Sequence, residues 1–318
     1  MAALQSQLRM PMTPDTACRR LVDEFRSRQT VRAGSLITTV FGDSIAPRGG
    51  RVWLGSLIKV MNEFGISERL VRTSVFRLVK DGWLQSNQSG RRSYYSLTDS
   101  GRQRFEVATH RIYAKPAGDW DGRWTLLLLS GMETADRESA RREFGWLGFG
   151  ALSANLLAHP APDISDLRLT VRRLGLEDTL VILNGEAVDS SPAMRAQARL
   201  AWNLDDIDRR YEAFVAMFSD ALRAVSAAKT IGGDTAFILR TLLIQEYRKI
   251  LLRDPQLPAE LLPSTWHGRS AYQLCVSLYR GVFEAADEYL TDSMETEHGI
   301  LPGNEAQFFS RFGGLETS

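Results

Sequence analysis

Residues 65–95, GISERLVRTSVFRLVKDGWLQSNQSGRRSYY, decide how the chain is read. Gly65 is a helix stop. Ser67 can accept a hydrogen bond from a free backbone N–H at the start of a new helix, so the run from Ser67 to about Lys80, closed by Gly82, predicts a capped helix. On a 100° wheel Val71, Ser74, Val75 and Leu78 share one face. Arg69, Arg72, Thr73, Phe76 and Lys80 share the opposite face, with Arg77 at its margin. Trp83–Asn87 and Ser93–Leu97 then read as short strands about the turn signal Ser89-Gly90-Arg91-Arg92.

Working outward, Ser35–Asp43 and Leu54–Phe64 are apolar-periodic helices separated by the breaker Pro47-Arg48-Gly49-Gly50. Thr98 or Asp99 caps a further helix through about Tyr113. Helix, helix, tight turn, basic helix and basic hairpin together predict a winged helix-turn-helix over residues 31–115. Such a fold lays one helix in the major groove, where Arg reads guanine edges and Thr or Phe packs on a thymine methyl. Ser67, Arg69, Arg72, Thr73, Arg77 and Lys80 are the expected DNA-facing residues of the helix. Arg91, Arg92 and Tyr94 are the expected phosphate donors of the hairpin. Phe76 has a second reading, as an aromatic buried beneath the wing. The bland reading of the whole helix is an amphipathic surface helix; the ordered set of elements around it favours DNA.

Charge agrees. Residues 1–115 hold 19 Lys and Arg against 9 Asp and Glu, whereas the remainder holds 20 against 29, so a net charge of +1 conceals a basic module joined to an acidic one. A basic module suits a polyanion because each phosphate it neutralises releases counterions. The two cysteines, Cys18 and Cys275, cannot form a disulfide framework or a cysteine-based zinc site. The four histidines lack metal-binding spacing, so no metal and no cofactor are expected. No apolar stretch is long enough to span a bilayer, and MAALQSQLRMPMTPDTACRR has no apolar signal core, so a cytoplasmic protein with no membrane partner is expected.

At 318 residues the chain has room for two or three domains. Residues 1–30 read as a partly mobile arm, weakly helical around Leu21–Phe25. Lys115-Pro116-Ala117-Gly118-Asp119 reads as a linker. Beyond it come a strand at Trp124–Leu129, a helix at Thr134–Trp146, two short strands within Phe149–Ala158, a helix at Ile164–Leu174 and a strand at Thr179–Leu183. This βαββαβ order predicts a ferredoxin-like domain over 120–190. Asp205–Ala227, Thr235–Arg253 and Ser270–Ser293 read as helices of an all-helical domain over 200–295, and 296–318 as a loosely held tail. The predicted class is α+β multidomain.

Two long runs carry a family resemblance. Residues 35–84, SLITTVFGDSIAPRGGRVWLGSLIKVMNEFGISERLVRTSVFRLVKDGWL, and residues 239–268, LRTLLIQEYRKILLRDPQLPAELLPSTWHG, closely resemble the PaaX family of phenylacetate-degradation repressors. The resemblance implies a homodimeric repressor of double-stranded operator DNA, with phenylacetyl-CoA or a related aryl-CoA as the releasing effector. It also implies a likeness of the middle domain to CRISPR-associated small nucleases. Those enzymes place an acidic metal ligand at the end of the first strand, where this chain has Leu128-Leu129-Ser130; an inactive domain serving dimerisation or spacing is expected. The helical domain is expected to bind effector and to dimerise.

An acyl-CoA site needs cationic donors beside an apolar or aromatic pocket. Arg240, Gln245, Tyr247, Arg248, Trp266 and His267 are the expected effector contacts. Members of the family often carry His where this chain has Gln245, and a neutral amide cannot titrate as imidazole does. Each has a plainer role: Glu246 with Lys249 or Arg253 as a helix-surface ion pair, Trp266 sealing a core, His267 hydrogen-bonded in place. Two other function classes compete with the effector-controlled repressor. One is an acyl-CoA-processing enzyme or nuclease with an accessory winged helix; it lacks a nucleophile elbow, a phosphate loop and a metal-spaced cluster. The other is an architectural DNA binder without an effector, which predicts salt-sensitive binding with little sequence preference.

Overall fold

The computed structural model describes residues 12–28, 33–115, 120–186 and 192–315. The first eleven residues of the expected arm, residues 116–119 of the linker and the end of the expected middle domain at 187–190 lie outside the described residues. The chain is a mixed α/β protein with small antiparallel sheets. It forms two compact units: residues 1–115, 212–249 and 269–318 in one, and 116–211 with 250–268 in the other.

The first unit begins with α1 (Pro14–Ser27), whose N-cap Thr13 accepts the Thr16 N–H. It is a full amphipathic helix rather than a mobile arm, because Ala17, Cys18, Leu21, Val22 and Phe25 form one buried stripe. Helix α2 (Ala33–Val40) continues into a π-helical turn at Phe41–Ile45 and a 3₁₀ turn at Ala46–Arg48. Strand β1 (Arg51–Trp53), helix α3 (Leu54–Asn62) and helix α4 (Glu68–Lys80) follow. Gly65 takes φ +71° between α3 and α4, a conformation costly for a residue with a Cβ. Strands β2 (Leu84–Ser89) and β3 (Arg92–Leu97) leave the two-residue loop Gly90-Arg91. Gly90 holds φ +59° at its first position, the demand of a type II′ turn. Helix α5 (Asp99–Tyr113) is capped by Thr98, which accepts the Gly101 N–H at 2.9 Å.

The three strands pair antiparallel in the order β1-β3-β2. Leu36, Ile37, Val40, Leu57, Val60, Met61, Val71 and Val75 are buried among α2, α3 and α4. This apolar core, not helix propensity, fixes the orientation of α4.

The second unit contains β4 (Arg123–Leu128), α6 (Thr134–Trp146), β5 (Gly150–Ser153), β6 (Leu156–His159), α7 (Ile164–Leu174), β7 (Val181–Glu186) and α8 (Pro192–Ala201). The expected strand-helix-strand-strand-helix-strand order is present, in a four-stranded antiparallel sheet ordered β5-β6-β4-β7. Its core brings Leu127, Leu129 and Leu157 of the sheet region against Ala140 and Phe144 of α6 and Leu167 and Val171 of α7.

Helices α9 (Leu204–Ala227), α10 (Gly233–Leu251) and α11 (Gly268–Ser293) follow. The residues of these helices at 212–249 and 269–293 belong to the first unit. After α11, β8 (Glu295–Thr296) and β9 (Gly299–Ile300) form a hairpin, and a 3₁₀ segment runs over Ala306–Gly313. The described part of the expected loose tail, 296–315, is instead packed: Leu301, Phe308, Arg311, Phe312 and Leu315 are buried. Its aromatic anchors are spaced too irregularly to show a period in sequence.

Candidate nucleic-acid interface

The division of α4 into two faces is as sharp in the structure as on the wheel. Ser67 accepts the Leu70 N–H at 3.4 Å and so satisfies one of the first helical donors. Val71, Ser74 and Val75 are buried, and Leu78 is half-buried. Arg69, Arg72, Thr73, Arg77 and Lys80 are all exposed on the outward side. Phe76 is 70% exposed, which settles its position: it projects outward with the arginines and does not lie beneath the hairpin.

These side chains differ in freedom. Arg72 is held by Glu68 one turn earlier, at 2.8 Å from both Nε and Nη2. The pair orients the guanidinium, at the cost that Glu68 must be displaced or tolerated by a bound anion. The Thr73 hydroxyl donates to the Arg69 carbonyl at 2.9 Å, leaving its methyl group available for apolar contact. Arg69, Arg77 and Lys80 make no ion pair among the described residues.

On the hairpin, Arg91 is exposed at the turn. Arg92 is engaged: it pairs with Glu295 at 2.6 Å and its guanidinium lies 4.2 Å from the Trp53 ring. Tyr94 is only 6% exposed, because it sits in β3 opposite Trp53 and Asn87 and turns inward. Residues that the sequence reading passes over lie beside them. Gln85, Ser86, Asn87 and Gln88 of β2 are all exposed and offer amide and hydroxyl donors next to α4. Their signal is the strand LQSNQS itself, which after Leu84 lacks an apolar residue at every second position.

The residues expected to contact an effector are distributed over both units. Arg240, Gln245, Tyr247 and Arg248 lie in the first unit, Trp266 and His267 in the second. Arg240 is fully buried. Its guanidinium bonds Asp43 at 2.8 Å, Asp287 at 2.6 Å and the Ser44 hydroxyl at 2.8 Å. Asp43 sits in the π-helical turn and also receives Tyr113 at 2.6 Å, Tyr279 at 3.0 Å and Arg311 at 3.0 Å. Burial pushes the Asp43 carboxyl up, but Arg240 and then Arg311 outweigh it and hold the group below the usual carboxylate range. Burial likewise lowers Arg240, and Asp43 reverses the effect, so both stay charged.

Gln245 is buried, accepts from the Thr39 hydroxyl and donates to the Ser35 hydroxyl at 3.0 Å. Arg248 donates to Thr39 at 2.7 Å and to the Ser35 carbonyl at 2.8 Å. Burial pulls the Arg248 pKa below its ordinary value. Tyr247 is buried against Phe214, with ring centroids 5.5 Å apart. Gln245 and Arg248 therefore tie α10 to α2, Tyr247 packs it on α9, and Arg240 joins it to the π-helical turn and α11, so the position of Gln245 is a helix-to-helix joint. Trp266 packs on Tyr211 at 5.7 Å, and the His267 ring lies 3.1 Å from Asp208. Lys249 does pair with Glu246, at 2.8 Å, as a helix-surface bridge.

Among the described residues, no group of three or more His, Cys, Asp or Glu is placed to hold a metal ion. None of the described helices is long and apolar enough to cross a membrane.

Comparison with known proteins places the chain among relatives. Residues 32–101 match the family described as PaaX-like protein, residues 117–197 the PaaX protein central Cas2-like domain, and residues 202–292 the PaaX-like protein C-terminal domain. The transcriptional repressor PaaX of Escherichia coli (strain K12) is 38% identical over 288 residues, covering 90% of this chain and 91% of that protein. A solved structure, the uncharacterized protein Rv0674 from Mycobacterium tuberculosis, is similar in fold, with a TM-score of 0.50 and 21% identity. That likeness covers 74% of this chain and 89% of the other.

Proposed function

The chain belongs to the PaaX family, and from that premise we propose that it is a DNA-binding transcriptional repressor whose reading head is a winged helix-turn-helix at residues 33–113. The observation that carries the proposal is the outward face of α4: Arg69, Arg72, Thr73, Phe76, Arg77 and Lys80 are exposed together on a helix whose other face is locked into a core. Such a helix enters the major groove by its N-terminal part, with Arg and Thr reaching base edges. Arg91 and the exposed β2 amides take the flanking phosphates.

In this reading the protein binds operator DNA as a homodimer, since one head reads too short a site for a specific affinity. The second unit is a ferredoxin-like module that serves dimerisation or spacing. Phenylacetyl-CoA, or a related aryl-CoA, favours a conformer whose heads no longer fit the two half-sites. To change occupancy, that ligand must bind the two conformers with different affinity.

Fluorescence anisotropy on the protein's own promoter DNA tests the proposal, with titrations of phenylacetyl-CoA, free phenylacetate and CoA. Sequence-specific binding released by the thioester alone is the expected result. Binding indifferent to sequence would remove the repressor reading. Specific binding that none of the three ligands affects would remove the effector.

A further inference from the structure

Resting on the repressor reading, we propose that the regulatory ligand inserts an aromatic acyl group into a cleft between α5 and the C-terminal 3₁₀ segment, away from the α10 residues singled out in the sequence. The cleft has a volume of about 680 Å³, within the range of small-molecule sites. One wall is a single stripe of α5: Arg102, Phe105, Glu106, Thr109, His110 and Tyr113, spaced as one helical face. The opposite wall is Gln307, Phe308, Ser310 and Arg311 of the tail, and Leu97 and Pro47 complete the apolar lining.

The chemistry of the lining selects the ligand. Phe105, Phe308 and Tyr113 offer ring faces and edges to a planar apolar group. Val107, at 72% exposure, leaves a further apolar surface at the rim. Arg102 and Lys115 are offset by Glu106 and Glu305, so the cleft gives little attraction to a multiply charged anion. It suits instead the nearly neutral acyl end of a ligand, whose carbonyl oxygen meets hydroxyl and cationic donors at Thr109, Arg102 and Lys115. A thioester and a singly charged free acid both present that end.

The floor of the cleft connects it to the reading head. Arg311 lies 4.0 Å over the Tyr113 ring and 4.4 Å over the Phe308 ring, both of them cleft walls. The same guanidinium bonds the Asp43 carbonyl and carboxylate at 3.0 Å and the Tyr279 hydroxyl at 2.7 Å. Asp43 belongs to the turn that extends α2, and α2 packs on α4. A group that parts Phe308 from Tyr113 shifts Arg311, and with it the end of the helix that backs the recognition helix. Coupling of this kind needs contiguous packed groups, and Arg311, Asp43, α2 and α4 form such a chain.

Two cleft-blocking variants of the full chain test the inference by calorimetric titration with phenylacetyl-CoA, phenylacetate and CoA, independent of DNA. Thr109→Trp fills the cleft; Val107→Glu places a carboxylate at its rim from an exposed position that cannot upset the fold. Ser226→Trp, exposed near the end of α9 and outside the cleft lining, is the control. The expected result is that both blocking variants weaken phenylacetyl-CoA binding by about ten- to a hundredfold, the loss of one buried aromatic group. The control should bind as the parent does, and all three should bind promoter DNA normally without ligand. Competition by phenylacetate would identify the acid as a second source of the same acyl group. Unchanged thioester binding in both blocking variants, or CoA alone binding as tightly as its thioester, would overturn the inference. Failure of the parent protein to bind promoter DNA would strike the repressor reading instead, and would leave the calorimetric result standing.

Discussion

Replacing Asp43 by Asn should destabilise the first unit far more than a change of one atom suggests. Asp43 is buried to within 2% exposure and, among the described residues, is the carboxylate with which Arg311 pairs. The amide keeps the size and the acceptor oxygen, so no cavity forms and the Tyr113 and Tyr279 hydroxyls keep a partner. Arg240 retains Asp287 at 2.6 Å. Arg311 is left with carbonyls and a tyrosine hydroxyl, an uncompensated buried charge, and removing one partner of a buried pair costs about 3–5 kcal/mol. Tyr113→Phe, which removes one hydrogen bond to the carboxylate, should cost less, about 1.5–3 kcal/mol. Urea denaturation at pH 7 gives both numbers, and hydrogen exchange of the α2 amides shows whether the loss falls in this unit.

The pH dependence follows from the depressed pKa of Asp43. Its ionisation contributes stability that is fully present above the unfolded carboxyl pKa of about 3.9 and is lost as pH falls through the lower folded value. The gap between parent and Asp43→Asn should therefore be widest above about pH 5 and narrow below about pH 4. A difference under about 1 kcal/mol at neutral pH, well short of the cost of breaking a buried ion pair, or a gap that widens with acid, would refute the charged network.

Other consequences are simpler to check. Ser67→Ala removes the α4 cap and should cost about 1 kcal/mol in thermal or urea unfolding; an unchanged midpoint would mean that the cap contributes nothing. Phe76→Ala should alter stability by less than about 0.5 kcal/mol, as expected of an exposed site, yet weaken operator binding. Cys18, its thiol pushed up to about 12 by burial and then by Asp234 and Asp15, and Cys275, also pushed up by burial, should resist alkylation in the folded protein at pH 8. Rapid labelling without denaturant would contradict their placement.

Much of the fold is visible in the sequence where a local signal exists. Gly65, Ser67 and the period of residues 71–78 locate α4 to within a residue, and Thr134–Trp146 and Ile164–Leu174 form as read. What the sequence conceals is made by distant partners. Nothing near Arg240 indicates that its carboxylate lies at position 43, so a buried, fully paired arginine reads as a ligand donor. Gln245 and Arg248 likewise have acceptors, Ser35 and Thr39, on another helix that no local signal reveals. Strand β1 is three residues long and gains its place from β3, while the tail is held by isolated aromatics rather than by a repeating face. Tyr94 shows the limit of composition alone: hairpin residues look equally exposed until the register assigns one to the inside.

The central claim is that the outward face of α4 reads DNA sequence, and selection of binding sites from random duplexes tests it most directly. The parent protein should enrich a defined, two-fold related motif, and Arg72→Ala should relax the preference at one base pair per half-site at a cost of about 1–3 kcal/mol. An identical motif for parent and variant, or no motif at all, would contradict the account.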